Sequence, residues 1–293
     1  MYATSAALCS PLAIGTGRAP LFEGENSMLR SGNPALKEST FLDLHSGNVV
    51  SPGSGTVVAR DSGAMTLNGT ANKTGVLLML TVLTAVFAWS QSLSVDAAGN
   101  EMIAPGVAGY ALGGAIGGFI LALITIFKKE WSPITAPLYA LVEGFFLGSI
   151  SAVYEHRFNG IVLQAVLLTF GTLFALLFAY RSGMIKATEN FKLGVVAATG
   201  GIALVYLATM VLGFFNIQIP YIHASGTVGI LFSLFVVVVA ALNLVLDFDF
   251  IESGVEQGAP KYMEWYGAFG LMVTLVWLYV EFLRLLSKLQ SRN

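Results

Sequence analysis

The sequence predicts an all-α membrane protein, a bundle of seven transmembrane helices. Hydrophobic residues make up 55% of the 293 residues and charged residues only 11%, against about 25% in soluble domains. Seven apolar stretches follow one another between residues 75 and 286, each close to the ~20 residues that a helix needs to cross a bilayer. The connections are short, so consecutive helices are expected to pack as antiparallel neighbours.

The predicted helices cover residues 75–92, 105–127, 134–154, 161–180, 193–215, 227–250 and 262–286. The first ends near Trp89, a residue type that anchors helices at the membrane interface. The second is rich in glycine, and its glycines recur at four-residue spacing. Small residues at this spacing let helix backbones approach closely. We therefore interpret this glycine ladder (109, 113, 114, 117 and 118) as a helix-packing feature.

Residues 1–70 differ in composition from the rest of the chain. They are rich in Ser, Gly, Asn and Thr, with only short apolar islands. Such a segment cannot bury enough apolar surface to offset its ordering entropy, so we predict a disordered tail followed by a membrane domain over residues 71–293. A new type of sequence, MLRSGNPALKESTF, begins at Met28. We hypothesise that translation starts there and that residues 1–27 are a start-site artefact, which the intact mass of the native product would test.

The orientation follows from the lysines and arginines beside the predicted helices, which cluster on cytoplasmic faces. One side carries most of them: Lys73, Lys128, Lys129, Arg181, Lys186, Lys192 and Lys261. The loops of the other side contain only Arg157. This pattern predicts a multi-pass membrane protein with a cytoplasmic N-terminus. Arg284, Lys288 and Arg292 then fall outside, against the rule. A re-entrant or half-inserted seventh segment would remove that conflict.

Glu143 lies in the middle of the apolar run PLYALVEGFFLGSISAV. It is about nine residues into its predicted helix, or ~14 Å along the axis, which places it near mid-bilayer. Acids in hydrocarbon are costly, and no lysine or arginine lies deep in any predicted helix. The carboxyl group must therefore be protonated, hydrated or bound to a cation. Two interpretations remain open: a protonated structural group, or a group that titrates or binds cations.

A second set of polar residues lies at the end of the sixth predicted helix. Asn243 and Asp247 are one turn apart on the same face, and Asp249 follows. Asp247 is either solvated at the helix end or part of a single cluster with Glu143, Asn243 and Glu264 in the cytoplasmic half. Two carboxylates in a poorly solvated site cannot easily both ionise, so the cluster would respond to pH. Carboxylate and amide oxygens are the ligands that Ca²⁺ prefers, which makes Glu143 and Asp247 candidate Ca²⁺ ligands.

Glu281 is predicted to belong to a different part of the bundle. It is about 21 residues beyond Pro260, or ~30 Å along a continuous helix, so it should lie near the surface opposite Asp247. Arg284 follows three residues later on the same face, which is close enough for a local ion pair. We therefore favour a structural ion pair for Glu281.

Several classes of function lack support in the sequence. No HExxH, GxSG or GxGD motif and no phosphate-binding glycine loop occurs, so we expect neither an enzyme nor a cofactor. The three histidines fall in the predicted tail or loops, and the single cysteine cannot form an intrachain disulfide. The net charge is −2 without a basic block, which gives no indication of nucleic-acid binding.

Several ordered motifs resemble the Bax inhibitor/YccA-like family, in particular its bacterial branch with a long N-terminal tail. They are EGFFLG at 143–148, LDFDF at 246–250, WLYVEFLRLLSKL at 277–289 and SGNPALKESTF at 31–41. The resemblance covers most of residues 28–293. It implies a central last helix wrapped by the other six, and a pH-sensitive Ca²⁺ leak controlled by two aspartates.

Asp247 matches the first of these aspartates. The second matches Glu281 if LYVEF is aligned with the family pattern, or Thr274 if LRLL is aligned. Two alternatives remain open: another acid supplies the second carboxylate (Glu143, Asp249 or Glu264), or this branch lacks the paired-aspartate latch. The resemblance also implies an alternative function, a non-conducting regulator of a membrane-bound AAA protease that uses SGNPAL in the tail as a handle. With this resemblance, we expect a protein of the inner (cell) membrane that lies in the lipid bilayer and passes or exchanges Ca²⁺ under proton control.

Overall fold

The computed structural model describes residues 63–95, 99, 101–215 and 226–292, and within these ranges it consists almost entirely of seven long helices. These are α1 Leu67–Ser92, α2 Val107–Phe127, α3 Ser132–Arg157, α4 Ile161–Arg181, α5 Glu189–Phe214, α6 Thr227–Glu256 and α7 Met263–Gln290. A hairpin of strands β1 Leu93–Val95 and β2 Glu101–Ile103 links α1 to α2, and a 3-10 turn at Lys129–Trp131 precedes α3. All seven helices are long and apolar enough to span a membrane, so the predicted fold class is confirmed.

The first helix begins earlier than the apolar pattern indicated. It starts at Leu67 rather than Gly75, because the Thr66 side chain caps it by accepting a hydrogen bond from the Gly69 N–H at 3.0 Å. Lys73, predicted to flank the helix, is therefore within it. The predicted disordered tail and the proposed start at Met28 fall mostly on residues 1–62, which lie outside the described residues.

The last helix forms the centre of the bundle. α7 packs against α1, α3, α4 and α6, and it contributes several fully buried large side chains, among them Tyr266, Phe269 and Leu278. Its 28 residues form one continuous helix, about 42 Å long at 1.5 Å per residue. The re-entrant seventh segment considered from the sequence is therefore wrong, and the central position of the last helix agrees with the resemblance.

The sixth helix does not end at the LDFDF motif. It continues to Glu256 and stops where Gly258 adopts a left-handed conformation with φ +68°, the usual backbone signal for a helix C-terminus. The acidic segment after Asp247 is consequently helical, and Phe250 and Ile251 within it are buried. This extension carries Asp247 well inside the helix.

Glycine permits the closest helix contacts in the bundle. A Cβ atom at Gly148 would overlap the backbone oxygen of Ala85 in α1. A Cβ at Gly114 of α2 would lie 2.5 Å from the backbone nitrogen of Phe146. The packing interpretation of the glycine ladder thus holds for the face of α2 that meets α3. It fails for the opposite face, where a Cβ atom added at Gly113, for example, would meet no other atom within 4 Å.

Candidate ion-binding groups in the bundle

Glu143 is buried between α2 and α3. Its residue is only 7% exposed, and its carboxylate lies against Gly118, where the absence of a side chain leaves room for it. Among the residues that the structure describes, none forms a hydrogen bond or ion pair with this carboxylate. Glu143 therefore has the surroundings that the sequence predicted for a group that holds a proton or a cation.

Asp247 and Asn243 are buried on one face of α6. Asp247 is 0% exposed and Asn243 is 1% exposed, so the interpretation of Asp247 as a solvated helix-end acid is wrong. The Asn243 amide donates hydrogen bonds to the Thr199 hydroxyl of α5 at 2.8 Å and to the Val239 carbonyl at 2.9 Å. Within the described ranges, its side-chain oxygen is buried without a hydrogen-bond partner, which leaves one amide oxygen available inside the bundle.

Glu143 and Asp247 do not form the single cluster that the sequence analysis considered as one of two interpretations. The Glu143 carboxylate faces α2, whereas α6 packs mainly against α7, α4 and α5 and has no extensive contact with α2 or α3. In the part of the chain that the structure describes, no group of three or more His, Cys, Asp or Glu side chains is arranged to hold a metal ion. The two acids are therefore separate groups on different sides of the central helix.

Glu264 belongs to a structural junction and not to a cluster with Glu143. Its side chain is 0% exposed and pairs with Lys73 of α1 and, at 2.9 Å, with Lys261. It also accepts hydrogen bonds from the Thr66 backbone N–H at 2.9 Å and from the Thr66 hydroxyl at 2.8 Å. This carboxylate ties the start of α1 to the start of α7, which corrects its prediction as an ion-binding residue.

We expect Glu264→Ala to release the segment before α1. Hydrogen bonds to a charged group contribute about 1.5–3 kcal/mol each, so hydrogen exchange of the Met65 amide, bonded to the Ala259 carbonyl at 2.7 Å, should accelerate at least about tenfold. Hydrogen–deuterium exchange mass spectrometry measures this. Glu256→Ala, at an exposed acid near the same end, is the matched control, and equal exchange in both variants would contradict the tie.

Asp249 is also paired with a base. The Lys192 ammonium lies 2.8 Å from the Asp249 carboxylate and 3.5 Å from that of Glu189. Lys192 was predicted to lie in a loop, but α5 begins at Glu189 and includes it, and the residue is only 4% exposed. Asp249 is thus a structural ion-pair residue that joins α5 to α6, and its prediction as an ion-binding residue is corrected.

Glu281 forms the predicted ion pair. Its carboxylate lies 2.7 Å from the Arg284 guanidinium and accepts a hydrogen bond from the Tyr206 hydroxyl at 2.9 Å. The Tyr206 ring packs against Phe232 at 6.2 Å between centroids. Phe232 is 15 positions before Asp247 on α6, or about 22 Å along the axis. Glu281 and Asp247 therefore lie at different depths, as predicted.

Two bases that appeared to contradict the predicted orientation are engaged inside the bundle. Arg284 pairs with Glu281, and the buried Lys288 ammonium donates to the Gly229 carbonyl at 3.0 Å and the Ser233 hydroxyl at 2.9 Å. The positive-inside rule counts charges in loops, so these two bases carry little weight in it. The sequence missed the partners of Lys288 because they lie on another helix, α6.

Thr274 is the other position that matches the second family aspartate. It is 2% exposed in the middle of α7. Its flanking residues Leu271 and Leu275 belong to the same core cluster as Phe248, the neighbour of Asp247. The stretch of α7 that carries Thr274 thus packs against the stretch of α6 that carries Asp247, and a threonine stands where this alignment expects a second acid.

Seven membrane-spanning helices, the last of them central, enclose buried acids and define a polytopic membrane protein with candidate ion-binding groups. The protein-family model described as "Bax inhibitor 1 like" matches residues 20–291. The chain therefore belongs to the Bax inhibitor 1 like family. A comparison with curated proteins found no match.

Proposed function

We propose that the protein is a cation leak, passing Ca²⁺ across the membrane under proton control, and that it acts without enzymatic chemistry or a resident cofactor. The observation that carries this proposal is the buried Glu143 carboxylate, which has no basic partner among the described residues. Ionisable groups inside membrane bundles usually mark ion or proton pathways. Three further acids, Asp249, Glu264 and Glu281, are instead held by lysine or arginine.

The separation of Glu143 from Asp247 changes the mechanism expected from the sequence. A single Ca²⁺ site shared by the two carboxylates is replaced by two sites that an ion meets separately, one at the α2–α3 contact and one at α6. At the second site, the Asn243 side-chain oxygen, which has no hydrogen-bond partner among the described residues, lies one turn from Asp247. It supplies a hard oxygen ligand of the type that Ca²⁺ prefers. Protons compete with cations for the same carboxylate oxygens, which makes the leak sensitive to pH.

The experiment is Ca²⁺ flux into liposomes that contain the purified full chain and a Ca²⁺-sensitive dye, measured at several pH values. We expect a pH-dependent leak that falls at least about tenfold in the combined Glu143→Gln and Asp247→Asn variant, which loses both charges. Glu130→Gln, at an exposed acid of the α2–α3 connection, is the control and should leak normally. An unchanged leak in the double variant would defeat the proposed mechanism.

We further propose that the N-terminus is cytoplasmic and that the membrane is a bacterial inner membrane. The loop charges support this orientation, and the pairing of Arg284 and Lys288 within the bundle weakens the evidence against it. A cysteine placed at Lys186, in the α4–α5 connection, should be protected from a membrane-impermeant thiol reagent in intact cells. Labelling without permeabilisation would reverse the assignment.

A second candidate function is regulation of a membrane-bound AAA protease through the tail. The supporting observation is that the chain just before α1 is fixed to the α6–α7 turn, where Ala64 and Pro260 form an antiparallel bridge. The described chain therefore enters α1 at a fixed point beside the α6–α7 turn. Deletion of residues 1–60 distinguishes this function from the leak. If the full chain crosslinks to the protease, the deletion variant does not, and the full chain passes no ions, regulation is favoured over the leak.

A further inference from the structure

A deep cleft runs between α1 and α4 on the surface of the bundle. Its volume is about 550 Å³, and its walls come from α1, α3, α4 and α7. α1 and α4 both pack against α7 but contact each other weakly at most, which leaves the gap. We propose that this cleft is a binding site for one acyl chain of a membrane phospholipid, a function separate from the ion leak.

The chemistry of the walls favours an apolar occupant. Nearly all of the lining is hydrocarbon, from side chains such as Leu78, Val166 and Phe170. Protein interiors leave few voids larger than a water molecule, and apolar cavities do not hold water. A cleft of this volume at the surface of a membrane bundle is therefore filled by an apolar group, and the surrounding bilayer supplies acyl chains.

The polar groups in the walls already have partners within the protein. The Ser151 and Tyr279 hydroxyls hydrogen-bond to each other at 2.6 Å. The Thr169 hydroxyl donates to the Ala165 carbonyl at 2.7 Å. An occupant therefore needs no polar group in the deep part of the cleft, which matches a hydrocarbon chain and disfavours a polar solute.

The length and position of the cleft match one leaflet. Its α1 wall runs from Leu78 to Ser90, twelve positions or about 18 Å at 1.5 Å per residue, whereas one half of the hydrocarbon core is about 15 Å thick. Trp89 lies at the end of this wall nearest the C-terminus of α1. Tryptophan is a residue type that is enriched at the level of the lipid headgroups. A phospholipid of the leaflet in which α1 ends can therefore keep its headgroup at the surface while one chain enters the cleft.

The cleft is accessible from the membrane side. Val82 and Val86 of α1 line it and are nevertheless 55% and 64% exposed, so no protein segment among the described residues covers them. A lipid chain can enter laterally between α1 and α4 without any helix being displaced.

The test uses the full chain in nanodiscs doped with a phosphatidylcholine that carries a photoactivatable diazirine in one acyl chain. After irradiation, labelled residues are mapped by peptide mass spectrometry. We expect labelling of the cleft walls to exceed labelling of equally exposed side chains on the outer faces of α1 and α4. Val166→Trp places an indole ring in the cleft and should reduce wall labelling severalfold, because the ring occupies space that the chain would need.

Leu167→Trp is the matched control, because Leu167 is 64% exposed, adjacent in sequence and outside the cleft; it should leave wall labelling unchanged. A second pair of single variants on α1 repeats the comparison in case Val166→Trp does not fold, as judged by helicity and monodisperse elution. Val82→Trp is the cleft variant, and Leu83→Trp, outside the cleft, is its control. Even labelling over the whole lipid-exposed surface would overturn the proposal. So would labelling by a free fatty-acid probe alone, or crosslinks to a second copy of the chain at the same walls.

Discussion

Gly148→Val should push α1 away from α3 and lower the free energy of unfolding by about 3 kcal/mol or more. The added Cβ would overlap the Ala85 backbone oxygen, and the Ala85 carbonyl carbon and Cα both lie 2.8 Å from it. Because these are backbone atoms of a regular helix, no side-chain rotation relieves the overlap. The measurement is the thermal unfolding midpoint of the detergent-solubilised protein, followed by far-ultraviolet circular dichroism.

Gly113→Val is the control for this prediction. Gly113 lies in the glycine-rich α2, but nothing approaches within 4 Å of its Cβ position, so valine should change stability by no more than about 0.5 kcal/mol. If Gly148→Val and Gly113→Val unfold at the same temperature, the α1–α3 contact is not as close as the structure indicates.

Asp249→Ala should free α5 and destabilise the bundle by about 2–4 kcal/mol, because removing one partner of a buried ion pair leaves the other charge uncompensated. The Lys192 side chain is only 5% exposed, and its remaining partner, Glu189, is 3.5 Å away and 61% exposed. The expected loss is smaller than for a fully buried pair because Asp249 is itself 21% exposed.

Combined replacement, Asp249→Leu with Lys192→Met, tests the reason for this loss. Apolar residues of similar size often replace a buried ion pair without loss of stability, so the double variant should recover most of what Asp249→Ala loses. Thermal unfolding measures both. A double variant as unstable as Asp249→Ala would show that the uncompensated lysine is not the cause.

The helices could be predicted from the sequence because each apolar run is long enough to cross a bilayer, and hydropathy alone determines that property. Helix ends were harder to predict. Lys73 and Lys192 interrupt the apolar pattern and were placed outside the helices, yet both lie within helices that begin earlier, and acids distant in sequence, Glu264 and Asp249, pair with their charges. A pairing of this kind depends on tertiary packing and leaves no periodic signal.

The candidate site was predicted in part. The burial of Glu143 and the local pair of Glu281 with Arg284 followed from depth along single helices, whereas the burial of Asp247 depends on the continuation of α6 to Glu256. Their grouping did not, because the face that each helix presents to its neighbours depends on contacts such as that between Gly118 and Glu143. The sequence placed Glu264 beside Glu143 by depth alone, whereas its partners lie at the start of α1.

The most direct test of the central claim is infrared spectroscopy of the membrane-reconstituted protein during a pH titration, observed in the carbonyl-stretch region of protonated carboxyl groups. We expect a band that changes with pH and disappears in Glu143→Gln, while Glu264→Gln, at a lysine-paired acid, retains it. A spectrum in which Glu143→Gln leaves every pH-dependent carboxyl band in place would contradict the assignment of Glu143 as a group that exchanges a proton inside the bundle.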